Sequence, residues 1–329
     1  MKSFLLPMLA LVVLASSIDP VLCADDAKPA EAKPAEAKKT YQVFLRERWK
    51  AGDVATRSVK ESSELTSGWS EGSAEPKVLP KSQKLTSYVA ILKCLEADSE
   101  GYATKFIVYL TAWSVEFGPE KDSCLAGVHI EVSGKGADRA WKTLTPDANL
   151  SPVAKNWIEL NFGKISAGDA TNADLEPPNP VEVGATWDGN ALAIAKRVAA
   201  RGLSVLVEKA QAKGTLLGVD DGQIHVKVSI TMPQTDLVYN GQRIPWKEGG
   251  VTEMTVDIVR PLEAGMFGAK LHTSQKTVGV AAADNGTITS ESELTREIEI
   301  TPGGKMPAVP AAPADGEKKA PAMEDSPPK

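Results

Sequence analysis

Apolar and polar residues alternate along most of the chain between Thr40 and Pro302, which is the pattern of β-strands with one covered face. Three segments turn back on themselves around Asp, Asn and Gly: 88–113, 214–231 and 277–290. Asp and Asn followed by Gly tolerate the positive φ angles of tight hairpin turns. The sequence therefore predicts a mainly β fold of the α+β class, built from repeated hairpins as a curved antiparallel sheet or half-barrel.

Segment 88–113 differs from the other hairpins because its strands are apolar at consecutive positions. A strand that is apolar on both faces is either covered on both sides or lines an apolar cavity. We therefore predict that this hairpin lies at the centre of the sheet. Its residues Phe106, Val108 and Leu110 are candidates to bound a ligand pocket.

In two segments the spacing of the apolar residues changes from that of a strand to that of a helix. Ser151 before Pro152 is typical of a helix N-terminus, and apolar residues recur at helical spacing as far as Gly163. Asp188 is predicted to cap a second helix over about 191–201. Two short helices are therefore expected beside the sheet.

The beginning of the folded region is predicted to form strands over 40–49 and 54–65, followed by a long loop over 66–84 that is rich in Ser, Gly, Glu and Pro. Trp69 lies in this loop and Trp246 in a second polar stretch. An exposed Trp offers a ligand a large apolar face, so these two residues are candidates for binding. Packing at the edge of the core is the alternative role.

The N-terminus has the features of a secretory signal peptide over 1–23, with an apolar run over 4–15 behind Lys2. This run is shorter than the ~20 apolar residues that span a bilayer, so no transmembrane segment is expected. Lipid anchoring at Cys23 is disfavoured because Leu22 occupies the place of a small residue in lipoprotein signals. Cleavage after Cys23 or one residue later predicts an exported protein, periplasmic or extracellular.

Segments 24–39 and 303–329 consist mainly of Ala, Lys, Pro and Glu. Such segments cannot bury enough apolar surface to offset the entropy of ordering, so we predict a disordered tether and a disordered tail. The folded region is then 40–302, with two similar halves, 40–176 and 180–302, as one interpretation of short matches between them. Reuse of the same turn chemistry in an antiparallel meander is the alternative, and it is favoured because such short matches arise readily in β proteins.

The net charge of −6 belongs to the folded region, because Lys balances Asp and Glu in both the tether and the tail. A mildly acidic protein lacks the basic surface that phosphates require, so a nucleic-acid partner is not expected. Two cysteines remain in the folded region, Cys94 and Cys124. In an oxidising compartment they can form a disulfide, and two free thiols are the alternative.

The sequence lacks the common catalytic motifs, which are the Gly-x-Ser-x-Gly elbow, the phosphate-binding Gly-rich loop, His-Glu-x-x-His and Cys-x-x-Cys. The three histidines, His129, His225 and His272, are far apart in sequence. Asp220 and Asp221 lack the spacing of a calcium loop and suit a turn instead. We therefore predict a noncatalytic protein without a metal site and without a cofactor.

Two short motifs carry a family resemblance. The turn at 49–53, which follows the tether, contains Gly-Asp, and segment 180–187 reads Pro-Val-Glu-Val-Gly-Ala-Thr-Trp. Together they resemble a group of uncharacterised secreted bacterial proteins, for which no functional residues are known. Long antiparallel strands with one or two helices are also similar to the half-barrels of periplasmic lipoprotein and lipid carriers, which hold acyl chains on a concave face.

These observations predict an exported protein that binds an apolar small molecule or lipid in the cell envelope. The alternative is a structural or adhesive surface module that acts through contacts with envelope proteins. An enclosed apolar cavity would favour the first function, and a solid core with an exposed patch would favour the second.

Overall fold

The computed structural model describes residues 39–71, 77–163, 173–200, 204–239, 242–263, 268–283 and 286–310. The predicted signal peptide, nearly all of the tether, residues 311–329 of the tail and the third turn at 284–285 lie outside the described residues. None of the helices in the described ranges is long and apolar enough to cross a membrane.

The described residues form sixteen strands and two α-helices. The strands of the first part are β1 (Thr40–Tyr41), β2 (Val54–Glu71), β3 (Lys77–Val78), β4 (Ser82–Ala97), β5 (Ala103–Phe117), β6 (Glu120–Asp122), β7 (His129–Ser133) and β8 (Ala140–Thr143). Those of the second part are β9 (Val181–Glu182), β10 (Thr186–Asp188), β11 (Gln211–Asp220), β12 (Gln223–Pro233), β13 (Asp236–Tyr239), β14 (Gln242–Pro261), β15 (Ala269–Ala283) and β16 (Gly286–Pro302). The helices are α1 (Pro152–Phe162) and α2 (Ala191–Ala200).

Fourteen strands form one antiparallel sheet, which confirms the predicted fold class. The main order is β10-β11-β12-β14-β15-β16-β2-β4-β5-β7-β8, while β13, β3 and β6 pair with β14, β2 and β5. The last strand, β16, pairs with β2 along its whole length, from Gly286 opposite Glu71 to Pro302 opposite Ala55. This pairing joins the two ends of the folded region in the middle of an open sheet.

The turns of the first two hairpins follow the predicted chemistry. At the β4–β5 turn, Asp98 Oδ1 accepts the backbone N–H groups of Glu100 and Tyr102, each at 2.9 Å. At the β11–β12 turn, Asp221 and Gly222 have φ values of 50° and 72°, as a type I′ turn requires. The pairing of β15 with β16 confirms the third hairpin, although its turn residues are not described.

The sheet has one face covered by helices, called here the packed face, and one face exposed to solvent, called here the open face. A continuous row of apolar side chains crosses the packed face over seven neighbouring strands, namely Val226, Ile258, Leu271, Ile298, Val59, Tyr88 and Trp113. At one end of the row α1 packs through Trp157, and at the other α2 packs through Ile194. The row therefore links two apolar clusters across one sheet.

The structure confirms both helices and corrects one cap. Ser151 caps α1, because its Oγ accepts the N–H of Ala154 at 2.9 Å. Asn190, rather than Asp188, caps α2 by accepting the N–H of Ala193 at 3.1 Å. Asp188 cannot take this role because it is the last residue of β10 and pairs with Lys213.

Two predicted elements near the N-terminus differ in the structure. Only Thr40–Tyr41 of the predicted strand 40–49 pairs, and residues 42–50 cross the packed face without entering a sheet. The predicted loop 66–84 is wrong over its first residues, because β2 continues to Glu71 between β16 and β3. The strand tolerates its Ser and Gly residues because the neighbouring strands form hydrogen bonds with its backbone, whatever the side chains are.

The predicted tail begins one residue after β16, yet its first part lies against the sheet. The N–H of Gly303 donates to Val54 O at 2.7 Å, and Thr56 Oγ1 donates to Gly303 O at 3.0 Å. Farther on, Pro307 O lies 3.3 Å from Nε2 of the buried His129. Residues 303–310 therefore extend the folded region past the predicted boundary.

Candidate functional site

A row of polar side chains crosses the open face in the middle of the sheet. Its members are cross-strand neighbours on six adjacent strands, and we call them the groove row: Asp257, His272, Glu297, Lys60, Ser87 and Ser114. Neighbouring strands lie about 4.8 Å apart, so the row extends roughly 24 Å across the sheet. Strand pairing alone brings these side chains together, because they come from distant parts of the chain.

Two open cavities lie along the groove row, with volumes of about 430 and 370 Å³. Both are lined by Lys60, His272 and Glu297, so they are adjoining parts of one groove. The first extends towards Ser114 and the second towards Asp257. The groove is wide and open, which suits an extended ligand or a protein surface better than a small enclosed molecule.

The charged side chains at the margins of the groove form ion pairs with each other. Lys270 Nζ lies 3.3 Å from Glu299 Oε1 on one side, and Lys121 Nζ lies 2.6 Å from Glu116 Oε1 on the other. Between these margins, the groove row combines the carboxylates of Asp257 and Glu297 with the ammonium of Lys60 and the imidazole of His272. It therefore offers hydrogen-bond donors and acceptors side by side to a partner.

The serines of the groove row are hydrogen-bonded to each other and lie away from His272. Ser87 Oγ and Ser114 Oγ share a hydrogen bond of 2.9 Å. Two strands separate Ser87 from His272, which corresponds to roughly 14 Å between their backbones. A nucleophile and its base must approach to about 3 Å, so Ser87 and His272 do not form such a pair.

The described residues contain no group of three or more His, Cys, Asp and Glu side chains that could hold a metal ion. His129 is buried on β7 and its ring packs on that of Tyr109, with 4.5 Å between the ring centres. His225 is half-buried on β12, while His272 is exposed in the groove. The three histidines therefore occupy three separate environments.

The three aliphatic and aromatic candidates of β5 lie in the solid core under α1. Val108 and Leu110 are 0% exposed, and Phe106 packs edge-on against Phe162 of α1, with 6.3 Å between the ring centres. The helix covers the packed face of β5, and this cover explains why the strand is apolar there. These side chains therefore contact protein instead of lining either cavity of the open face.

The two candidate tryptophans lie in strands, not in polar loops, and the structure brings them to the same end of the packed face. Trp246 of β14, Ala281, Ile288 and Trp69 of β2 are successive neighbours on four strands. The ring of Trp246 lies over Gly279, where a Cβ atom would come within 2.6 Å of it. Both Trp side chains remain half-buried, with part of their surface exposed.

Both cysteines are free thiols, so the structure contains no Cys94–Cys124 disulfide. Cys94 is fully buried, and its Sγ lies 3.4 Å from Glu96 O. Cys124 is partly exposed beside the N-terminus of α1, with its Sγ 3.7 Å from Ser151 Oγ. Two free thiols in different surroundings correspond to the second of the alternatives left open by the sequence.

The groove row was missed by sequence reasoning. Alternation along 270–276 indicates that Lys270, His272, Ser274 and Lys276 share one face. It does not indicate which residues of β2 and β16 lie opposite them. The signal that identifies the groove is the register of long-range strand pairing, which a single sequence does not contain.

No family model and no curated protein matches this chain. Among solved structures it is similar to lipovitellin, with a TM-score of 0.37 and 10% identity over 79% of this chain and 27% of the lipovitellin chain. It also resembles Ail, the attachment invasion locus protein of Yersinia pestis, with a TM-score of 0.15 and 8% identity over 76% of this chain and 99% of Ail.

A third similarity is to the secretin domain β-barrel of InvG from Salmonella, with a TM-score of 0.15 and 12% identity over 80% of this chain and 66% of that chain. The chain thus spans about a quarter of the length of lipovitellin. The predicted membership of an uncharacterised secreted family stays a prediction, since no family model matches.

Proposed function

We propose that this chain is an exported, noncatalytic binding module that contacts a partner in the cell envelope through the groove of its open face. The observation that supports this proposal is the groove row, in which six polar side chains from adjacent strands line two adjoining cavities. The opposite face is packed with apolar side chains and two helices, so it serves stability while the open face is free for contacts.

The partner is proposed to be a protein surface or extended polar chain. The groove lies in the middle of the sheet, where β14, β15, β16, β2 and β4 each pair with a strand on both sides. Recognition by strand addition therefore does not apply, and side chains must make the contacts. Charged, imidazole and hydroxyl groups spread over about 24 Å suit a polar partner.

Site-specific photo-crosslinking tests this function. A photoreactive amino acid replaces Ser87 in the groove, and in a matched control it replaces Leu192, which is exposed on α2. Both proteins are exported in the native host and irradiated. We expect a discrete crosslinked partner from position 87 alone, whereas an absence of crosslinks at 87 or the same products from both positions would overturn the proposal.

An apolar small molecule or lipid is a second candidate ligand, and the shared row of Trp246 and Trp69 favours it. Two half-buried Trp side chains at one end of the packed face provide apolar surface beside Ala281 and Ile288. Mass spectrometry after organic extraction of the purified protein tests this candidate. A bound lipid that Trp69→Ala reduces would support it, and a consistently empty wild-type protein would exclude it.

A further inference from the structure

An exposed part of the packed face lies beyond the two helices, at the end of the sheet that contains Trp69. Leu65 and Trp69 point to this face from β2, four residues apart. Leu79 lies beside them, where its N–H donates to Ser67 O at 2.8 Å just after β3. Phe117 extends the same face on β5, two strands away from β2. We call Leu65, Trp69, Leu79 and Phe117 the apolar patch.

The apolar patch is exposed to solvent. The exposed fractions of Leu65, Leu79 and Phe117 are 37%, 39% and 57%, and Trp69 is half-buried. These four residues belong to neither of the two core clusters that contain residues of α1 and α2. A contiguous apolar surface that a folded chain leaves uncovered is typical of an interaction site.

Two lysines border the apolar patch. Lys77 is the cross-strand neighbour of Trp69, and Lys84 is the cross-strand neighbour of Phe117. Both are exposed, and neither ammonium group forms an ion pair with another residue in the described part of the chain. An aromatic ring beside a lysine suits the boundary of a lipid bilayer, because the ring enters the headgroup layer while the ammonium group reaches the phosphates. One carboxylate, that of Glu120, lies on the outer side of Phe117.

The two faces of the four central strands differ in charge. Over residues 54–71, 251–261, 269–283 and 286–302, seven carboxylates and three lysines point to the open face, whereas two carboxylates and three arginines point to the packed face. The open-face groups are Glu64, Glu253, Asp257, Glu291, Glu293, Glu297, Glu299, Lys60, Lys270 and Lys276, and the packed-face groups are Glu61, Glu71, Arg57, Arg260 and Arg296. An anionic bilayer is therefore repelled by the open face and not by the packed face.

We propose that the apolar patch docks on the surface of an anionic lipid bilayer. Trp69 and Phe117 enter the headgroup layer, and Lys77 and Lys84 pair with lipid phosphates. This docking rests on the proposed location of the chain in the cell envelope. It directs the groove of the opposite face away from the lipid, so the groove stays accessible to a partner while the chain is bound to the membrane.

Flotation of the purified protein with lipid vesicles tests the docking. Vesicles of phosphatidylglycerol and phosphatidylethanolamine are compared with vesicles of phosphatidylcholine. The patch variant combines Leu79→Ser with Phe117→Ser, and the matched control combines Val278→Ser of the open face with Leu217→Ser of β11, whose side chains are 44% and 54% exposed. We expect the wild-type protein and the control to bind the anionic vesicles equally within about twofold, and the patch variant to bind them at least about tenfold more weakly.

The lysines are tested by Lys77→Gln combined with Lys84→Gln, which should remove most of the preference for anionic vesicles over phosphatidylcholine vesicles. A wild-type protein that does not float with anionic vesicles, or an equal loss in the patch variant and the control, would overturn the docking. A concentration-dependent dimer that the patch variant dissolves would show that a second copy covers the patch, and would also overturn it. Crosslinking at position 87 does not depend on vesicle binding, so the docking and the function of the groove fail separately.

Discussion

His272 of β15 lies directly opposite Glu297 of β16 on the open face, and Lys60 of β2 lies opposite Glu297 on its other side. This relationship depends on the register of three central strands, two of which come from opposite ends of the folded region. A shift of one residue in the register of any of these strands would move the side chain on that strand to the packed face. Sheet stability and groove geometry are therefore linked.

The close contact between Gly214 of β11 and Trp187 of β10 predicts a specific packing defect. A Cβ atom at position 214 would come within 2.3 Å of the buried indole, whose Nε1 donates to Leu175 O at 2.7 Å. We expect Gly214→Ala to lower the free energy of unfolding by about 1–3 kcal/mol in urea titrations. The control Gly218→Ala, on the same strand with its nearest contact at 3.3 Å, should change it by less than about 1 kcal/mol.

The β11–β12 turn predicts that two substitutions at Asp221 differ in their effect on stability. Its φ of 50° lies in the left-handed region, which Asn tolerates and β-branched residues do not. Asp221→Val should therefore cost roughly 1–3 kcal/mol of unfolding free energy, while Asp221→Asn should cost almost none. Thermal and urea unfolding of the two variants measure the difference. Equal stability of the two would show that the turn does not require this conformation.

The contact between Asp122 and the N-cap of α1 predicts a pH dependence of stability. Partial burial on its own would raise the pKa of Asp122, but hydrogen bonds from Ser151 Oγ and from the N–H of Cys124 outweigh it and lower the pKa. A lowered folded-state pKa contributes stability above the unfolded value near 3.8, and this stability is lost as the pH falls through the folded-state pKa.

Urea unfolding at pH 7 and at pH 3 measures this contribution. Asp122→Asn should reduce the loss of stability between the two pH values, whereas Asp147→Asn, an exposed control in another turn, should leave it unchanged. Ser151→Ala should reduce it as well and should also cost about 1 kcal/mol at pH 7, because the helix loses its cap. Identical pH profiles for Asp122→Asn and wild type would contradict the assignment.

The different surroundings of the two thiols predict an order of alkylation. Burial raises the pKa of Cys94, and its side chain is inaccessible, whereas Cys124 is partly exposed. Iodoacetamide at pH 8 should therefore modify Cys124 first, and Cys94 should react only after addition of urea. Peptide mapping by mass spectrometry reports both sites. A protein that reacts at neither site without reductant would instead contain the disulfide.

Much of the fold follows from local sequence signals. The turn residues at Asp98, Asp221 and Gly222, and the Ser151–Pro152 helix start, act over a few residues, so a single sequence predicts them. The length of β2 was missed because its Ser- and Gly-rich second half has little strand propensity of its own. Pairing with β16 overrides this propensity.

The candidate site was less predictable than the fold. Apolarity identified Phe106, Val108 and Leu110 as important, but composition cannot separate a core that α1 covers from a pocket that a ligand fills. The groove row depends on pairing between residues as distant as Lys60 and Glu297. Such pairs leave no local pattern, because strand register is decided by tertiary structure.

The most direct measurement of the central claim is the affinity of the purified protein for the partner that crosslinks at position 87. Glu297→Lys reverses a charge in the groove, and Glu293→Lys makes the same change on the same strand and face but outside both cavities. We expect Glu297→Lys to weaken binding at least about tenfold and Glu293→Lys to change it less than about twofold. Wild-type affinity of Glu297→Lys, or an equal loss in both variants, would contradict a binding function of the groove.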